Sequence, residues 1–209
     1  ETFSIEIPIR ILQPNITTNE VNNLGIKELV GTGTSLFAGS IPNRIYNITL
    51  AAQKLDGVLV APNEVFSFNK VLGDISNLTG FKQAYVIENG KTVLGDGGGV
   101  CQVSPTFFRA LLNSGLPIIQ RHAHAYRVSY YEQDSDPGFD AAIYTPSVDL
   151  SFKNDTGHHI LIQTIVDQAT QRISFFLYGT SDGRIVTLSK PIITSTSTAT
   201  PYRVLPVLG

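Results

Sequence analysis

GDGGGVCQVS, residues 95–104, sets the interpretation of the whole chain. Its three consecutive glycines allow positive φ angles and a close approach of the backbone to a ligand. Gly115 stands further on as a helix stop signal. Between the two, one helical face is formed by Val103, Phe107, Ala110, Leu111 and Ser114. The pattern predicts a glycine-rich loop that leads into a helix, with Cys101 at the N-terminus of that helix.

Cys101 is the only cysteine in the 209 residues, so it has no partner for a disulfide within the chain. The thiolate is the nucleophilic form of cysteine, and a helix N-terminus favours negative charge. Backbone N–H groups of the loop could hold a developing oxyanion, namely those of Gly98, Gly99, Val100 and Gln102. A free cysteine is equally typical of a small buried hydrophobic residue, so the residues alone leave both interpretations open.

RHAH, residues 121–124, supplies the candidates for a base. In an extended segment His122 and His124 point to one side and Arg121 to the other. A neutral imidazole near Cys101 could take its proton and return it to a leaving amine, and we favour His124 slightly over His122. Two alternatives remain open, a pair of solvated histidines and a metal shared with Cys101.

Two further side chains could serve such a site. Asp140 could orient an imidazole through its second ring nitrogen, although it could equally be a turn residue at the start of a strand. The guanidinium of Arg121 could bind a substrate carboxylate with two hydrogen bonds.

Composition excludes some classes of protein. Hydrophobic residues make up 42% and charged residues 15%, which is typical of a globular domain with a core. The net charge of -2 leaves no basic excess to neutralise phosphates, so we expect no nucleic-acid partner.

No apolar run approaches the roughly 20 residues that span a bilayer. The chain begins at Glu1 and contains no Met, so we expect any signal peptide or membrane anchor to lie outside it. The oligomeric state is left open.

Hydrophobic periodicity predicts an α+β fold, a largely antiparallel sheet with two or three helices. One helix is expected over residues 43–55, and a hairpin with a type I′ turn at Asn89-Gly90 over residues 84–94. Residues 31–40 are predicted to form a loop. Strands are expected at residues 127–131, 141–144, 148–153, 160–166 and 173–178.

Several blocks resemble, in order, the VanW domain family, and GGGVCQVS, residues 97–104, is the most specific. The other blocks are NITLAAQKLDGVLVAPNEVFSFN (47–69), RHAH (121–124), VSYY (128–131), GFDAAIY (138–144) and VDLSFKNDTGHHILI (148–162). Asp56 and Asn63 depart from the usual Asn and Gly. Pro105 stands where Ser or Thr is usual, and we place it in the first turn of the helix.

The resemblance implies a VanW domain over residues 39–180. It implies that residues 1–38 are the end of a preceding peptidoglycan-binding-like module with its linker. Residues 181–209 would be a linker or tail toward a further cell-wall module. The implied location is the bacterial cell envelope, outside the cytoplasm, with the protein secreted or membrane-anchored.

The resemblance also implies a function, that of a cysteine L,D-transpeptidase acting on peptidoglycan stem tetrapeptides, with no cofactor and no metal. Cys101 matches the family cysteine, and Asp140 matches the acidic residue of its G-x-D-A block. The R-H-x-H block is matched by Arg121, His122 and His124. Substrate contacts are expected from Arg121, Ser104 and Tyr130. The alternatives are a non-catalytic peptidoglycan-binding module and a cysteine hydrolase or carboxypeptidase of the envelope.

Overall fold

The structure is a computed structural model, and it describes residues 23–88 and 91–198 of the chain. Three α-helices and nine strands in this part confirm the predicted α+β class. The helices are α1 (Pro42–Leu55), α2 (Phe68–Leu72) and α3 (Val100–Ser114). The strands are β1 (Glu28–Leu36), β2 (Leu59–Val60), β3 (Val65–Ser67), β4 (Gln83–Glu88), β5 (Lys91–Asp96), β6 (Ile118–Gln120), β7 (Ser151–Lys153), β8 (Ile160–Asp167) and β9 (Arg172–Gly179). Among the described helices, none combines enough length with enough hydropathy to span a bilayer.

Antiparallel pairing organises the strands into one four-stranded sheet, β1-β9-β8-β2, one three-stranded sheet, β3-β7-β6, and the hairpin β4-β5. In β9 the side chains alternate between buried and half-buried, with Ile173, Phe175 and Leu177 fully buried. This period of two is that of a strand with one face on the core. The predicted helix over 43–55, the hairpin over 84–94 and the last two strands are confirmed, while the turn residues 89–90 lie outside the described part.

Helix α3 packs between the two larger sheets and is held there by aromatic side chains. Phe107 is fully buried, and its ring centroid lies 5.3 Å from that of Phe66, 5.9 Å from Phe152 and 5.1 Å from Phe175. Aromatic pairs at such distances add to the gain from buried area. Because Phe107 is six positions after Cys101, this packing fixes the helix that carries the cysteine.

The prediction of a loop over residues 31–40 was wrong, because residues 31–36 belong to strand β1, which pairs with β9. Gly31 and Gly33 are the residues that favoured the prediction of a loop. They stand where α3 crosses the sheet, and a Cβ on Gly31 would lie 2.6 Å from the Cβ of Ser114. Glycine in a strand interior can mark such a close approach of another element. Strand β1 lies within residues 1–38, which we expect to be the end of a preceding module. It nevertheless forms one sheet with β8 and β9, which lie in the expected VanW domain.

Two other strand predictions were wrong. Residues 129–132 form a 3₁₀ helix instead of part of a strand, because Tyr131 turns inward and is buried. Residues 141–144 make only single bridges, His122 with Ala142 and Tyr144 with Val148. In the predicted strand over 148–153, residues 151–153 form β7.

Candidate active site

The glycine loop before Cys101 is held between the β4-β5 hairpin and α1. Gly97 and Gly99 have left-handed φ angles of 77° and 109°, and Gly99 is the N-cap of α3. A Cβ on Gly98 would lie 2.6 Å from the backbone of Ala84 and Tyr85 in β4. The loop therefore requires glycine at these positions for its conformation and its close contacts.

Asn47, fully buried in α1, anchors the same loop. Its Nδ2 donates to the carbonyls of Gly98, at 2.9 Å, and Lys82, at 2.8 Å. Its Oδ1 accepts a hydrogen bond from the Lys82 N–H at 2.8 Å. A buried amide with these three bonds fixes the loop relative to α1.

Cys101 is the second residue of α3, as predicted, and it is only partly buried. Its Sγ lies 3.6 Å from the carbonyl oxygen of Ile143. Pro105 lies inside α3 rather than in its first turn, where we had placed it. Since proline has no N–H, it cannot donate to the carbonyl of Cys101, four residues earlier.

The loop N–H groups are not equally available for an oxyanion. Those of Val100 and Gln102 donate to the carbonyls of Gly97, at 2.9 Å, and Gly99, at 2.8 Å. In the described part of the chain, the N–H of Cys101 has no hydrogen-bond acceptor. The N–H groups of Gly98 and Gly99 have no acceptor among the described residues either, so these three groups are the candidate donors, and that of Cys101 was not among the predicted ones.

His124 and Asp140 form a tight pair. The Nδ1 of His124 lies 2.7 Å from Oδ1 and 2.9 Å from Oδ2 of Asp140, and its backbone N–H donates to Oδ2 at 2.7 Å. The His124 side chain is 7% exposed and that of Asp140 23%. Because a carboxylate accepts hydrogen bonds, Nδ1 carries a proton and Nε2 is left for a second partner.

Electrostatics link this pair to the cysteine. Burial lowers the pKa of His124, but the Asp140 carboxylate and the Cys101 sulfur outweigh it and raise that pKa to about 9. Burial raises the pKa of Asp140, but its hydrogen bonds to His124 outweigh burial and hold it below its usual range. His124 is therefore an imidazolium at neutral pH, and the Cys101 sulfur is one of the groups that raise its pKa.

The two histidines of RHAH lie in different surroundings. His122 is exposed, and its Nε2 lies 3.1 Å from Nε2 of Gln120. The metal alternative gains no support, because the described residues contain no group of three or more His, Cys, Asp or Glu that could hold an ion.

Arg121 supports Asp140. Its Nε donates to the Asp140 carbonyl at 2.6 Å, and its Nη2 donates to that of Gly138 at 3.2 Å. Its guanidinium lies over the ring of Phe108 at 5.3 Å. These bonds occupy two of the five N–H donors of Arg121, and they hold the segment that carries Asp140.

Gln102 and Ser104 are both fully buried. The Oγ of Ser104 donates to the carbonyl of Ala141 at 2.7 Å, which leaves it no path to a substrate. This corrects our expectation of a substrate contact for Ser104. Gln102 accepts a hydrogen bond from Arg44 at 2.8 Å and donates to Ser35 at 2.8 Å.

Two residues next to the site, Arg44 and Tyr131, are absent from the predicted site residues. Burial lowers the pKa of Arg44, while Tyr131, Tyr130 and Cys101 act in the opposite direction. Burial raises the pKa of Tyr131 well above its ordinary value, with a further contribution from Cys101, and its ring lies 5.3 Å from that of His124. Tyr130, an expected substrate contact, is partly exposed and stacks on the Arg44 guanidinium at 4.4 Å.

The position of Arg44 in α1 makes its burial predictable from the sequence. It lies one turn before Ile48 in α1, and Ile48, Ala51 and Leu55 are all fully buried. Residues four, seven and eleven positions apart share a face, so an arginine there must be buried too.

Comparisons with known proteins agree with the resemblance stated above. A family model described as VanW like protein matches residues 43–176. The uncharacterized protein YoaR of Bacillus subtilis (strain 168) is 36% identical over 159 residues, which cover 76% of the chain and 51% of YoaR. The vancomycin B-type resistance protein VanW of Enterococcus faecalis (strain ATCC 700802 / V583) is 38% identical over 116 residues, which cover 54% of the chain and 42% of that protein.

The chain spans about half the length of the curated relatives that it matches. No solved structure gives a significant match. The family model covers more than half of the chain and includes Cys101, His124 and Asp140. The chain belongs to the VanW-like family.

Proposed function

We propose that this domain is a cysteine-dependent L,D-transpeptidase that acts on peptidoglycan stem tetrapeptides. The observation that carries the proposal is the series Cys101, His124 and Asp140, in which a half-buried cysteine at a helix N-terminus raises the pKa of an imidazolium held by a carboxylate. Nucleophile, base and orienting group in this order are the arrangement of covalent acyl transfer.

In the first half-reaction the Cys101 thiolate, whose proton is held by the His124 imidazolium, attacks the carbonyl carbon of the third residue of a stem. A C–S bond forms and the C–N bond to the terminal D-alanine breaks, while His124 gives its proton to the departing amine. The oxyanion would be held by the N–H of Cys101, and one such donor contributes about 3 kcal/mol to lowering the barrier.

In the second half-reaction a side-chain amine of another stem attacks the thioester. Its proton passes to His124, the sulfur leaves, and an amide joins the third residues of the two stems. Water in place of the amine would release the free acid, so the same site would then act as a carboxypeptidase.

The relatives support the cell wall as the place of action. The Enterococcus faecalis protein is named for vancomycin resistance, and vancomycin is an antibiotic directed at the cell wall. We infer an extracytoplasmic location for this domain, with peptidoglycan stem peptides as its partners. The single reduced thiol is compatible with that location because it has no second cysteine in the chain to pair with.

The test is the mass of the intact protein after incubation with a stem tetrapeptide or a carbapenem. We expect an adduct of the acyl mass on the wild type and none on Cys101→Ala. Cross-linked stems would identify the transpeptidase, and tripeptide alone would identify the carboxypeptidase. If no adduct forms and both proteins bind the stem with equal affinity, the domain is a binding module and not an enzyme.

A further inference from the structure

Arg44 is a buried cation without an acidic partner. The residue is 9% exposed, and no described carboxylate forms an ion pair with its guanidinium. A buried charge is costly unless it is paired, and the usual partner of a buried arginine is a carboxylate. Arg109 shows the usual case in the same molecule, with Asp134 at 3.1 Å.

The hydrogen bonds of Arg44 leave some of the N–H donors of its guanidinium without a partner. Nη1 donates to the Oγ of Ser40 at 2.5 Å, and Nη2 donates to the Oε1 of Gln102 at 2.8 Å. A guanidinium has five N–H donors, so the described residues leave three without a partner. The Tyr130 ring stacks on it at 4.4 Å and fixes the plane of the fork.

Its place in the fold puts this charge within electrostatic reach of the Cys101 sulfur, which acts on the pKa of Arg44. Arg44 bonds the side chain of Gln102, which directly follows Cys101. Its alkyl chain lies under the loop, since a Cβ on Gly99 would be 2.8 Å from the Cγ of Arg44. No described carboxylate occupies this position, so an anion from outside the chain could pair with Arg44.

We propose that Arg44, rather than Arg121, is the residue of this chain that binds the carboxylate of the substrate next to Cys101. That this carboxylate is the C-terminus of D-alanine rests on the function proposed above. In a stem tetrapeptide only one residue separates the scissile carbonyl from the terminal carboxylate, a span of about 3–4 Å. A residue that recognises this carboxylate must therefore lie close to the cysteine, and Arg44 contacts the residues on either side of Val100 and Cys101, Gly99 and Gln102.

Two small alkylating reagents test the charge without using the transpeptidase reaction. Iodoacetate and iodoacetamide both place a CH₂ group on the sulfur and release iodide, and they differ in whether a carboxylate or an amide is attached. We expect the ratio of the Cys101 alkylation rates, iodoacetate over iodoacetamide, to fall by about tenfold in Arg44→Gln, the factor expected for one charge-assisted hydrogen bond. Arg44→Lys keeps the charge without the fork and should give an intermediate ratio.

The iodoacetamide rate and the thermal unfolding curve of each variant verify that the site is intact. Arg121→Gln is the matched control, because loss of its support for Asp140 should change both rates together and leave the ratio as in the wild type. An equal ratio in wild type, Arg44→Gln and Arg44→Lys would overturn the proposal. If Arg44→Gln does not fold, an unchanged ratio in Arg44→Lys alone would overturn it.

The terminal carboxylate is tested with a stem tetrapeptide and its C-terminal amide. The wild type should acylate faster with the free acid, by about tenfold or more, and Arg44→Gln should lose this preference. Equal rates in the wild type would overturn the D-alanine assignment. If the wild type prefers iodoacetate but forms no acyl adduct, the proposed transpeptidase activity is refuted while the carboxylate site at Arg44 stands. Failure of the proposed function can therefore be distinguished from failure of the carboxylate site.

Discussion

His124 and Asp140 are joined twice, because the carboxylate accepts one hydrogen bond from the imidazole Nδ1 and another from the backbone N–H of the same histidine. A side chain held at both its ring and its backbone has little freedom to turn. The ring is therefore pre-oriented, with Nε2 directed away from Asp140, before any substrate arrives.

Loss of the carboxylate should disable the histidine without removing it. In Asp140→Asn we expect acylation of Cys101 to slow by about 10²-fold or more, since the general acid-base contribution depends on the orientation and charge of the ring. Stopped incubations with a stem tetrapeptide, read by intact mass, measure the rate. Asp136→Asn, which changes an exposed carboxylate just before the turn at residues 137–138, is the control. Equal slowing in both variants would count against the role of Asp140.

The two histidines of RHAH offer a matched comparison. His124→Gln should lower the acylation rate by about 10²-fold or more. His122→Gln should change it by no more than about twofold, because the His122 side chain is exposed and has Gln120 rather than Asp140 as its partner. A larger loss in His122→Gln than in His124→Gln would reverse our assignment of the base.

The loop should not tolerate a side chain at residue 98. In Gly98→Ala the new Cβ would meet the backbone of β4 at 2.6 Å. We expect a fall of about 1–3 kcal/mol in the free energy of unfolding, measured in urea. Gly157→Ala is the control, since no atom lies within 4 Å of the Cβ position there. Similar values for the two variants would mean that the hairpin does not clamp the loop.

Raising the pH should destabilise the fold through His124. Its pKa in the folded state is about 9, above the ordinary value of 6.5, so the folded state binds the proton more tightly. This stabilisation is complete below pH 6.5 and is lost as the pH rises through 9. It amounts to about 3 kcal/mol at most. Urea unfolding of wild type and His124→Gln should show a difference that shrinks with rising pH, and a constant difference would refute the link.

The elements that were predicted correctly depend on neighbours in sequence. The period of α3, the glycines before it and the turn signal of the hairpin are local features, and they placed Cys101 correctly. His124 and Asp140 were chosen by residue type and by resemblance. Their hydrogen bonds join positions 16 residues apart and could not be read from spacing.

The predictions that were wrong or incomplete concern contacts between segments that are distant in sequence. Gly31 favoured a loop because only the crossing of α3 explains a glycine at that point in a strand. Tyr131 turns inward to pack on His124, which a local alternation of side chains does not show. The burial of Arg44 follows from the face of α1 that it shares, but its bond to Gln102, 58 residues away, could not be read from spacing.

The pairing of the Cys101 sulfur with His124 is tested most directly by an NMR titration of the His124 imidazole. We predict a midpoint near pH 9 in the wild type. In Cys101→Ala the midpoint should lie lower, because the sulfur contributes to the raised pKa of His124. A wild-type midpoint near the ordinary 6.5, unchanged in Cys101→Ala, would contradict the pairing and with it the nucleophile.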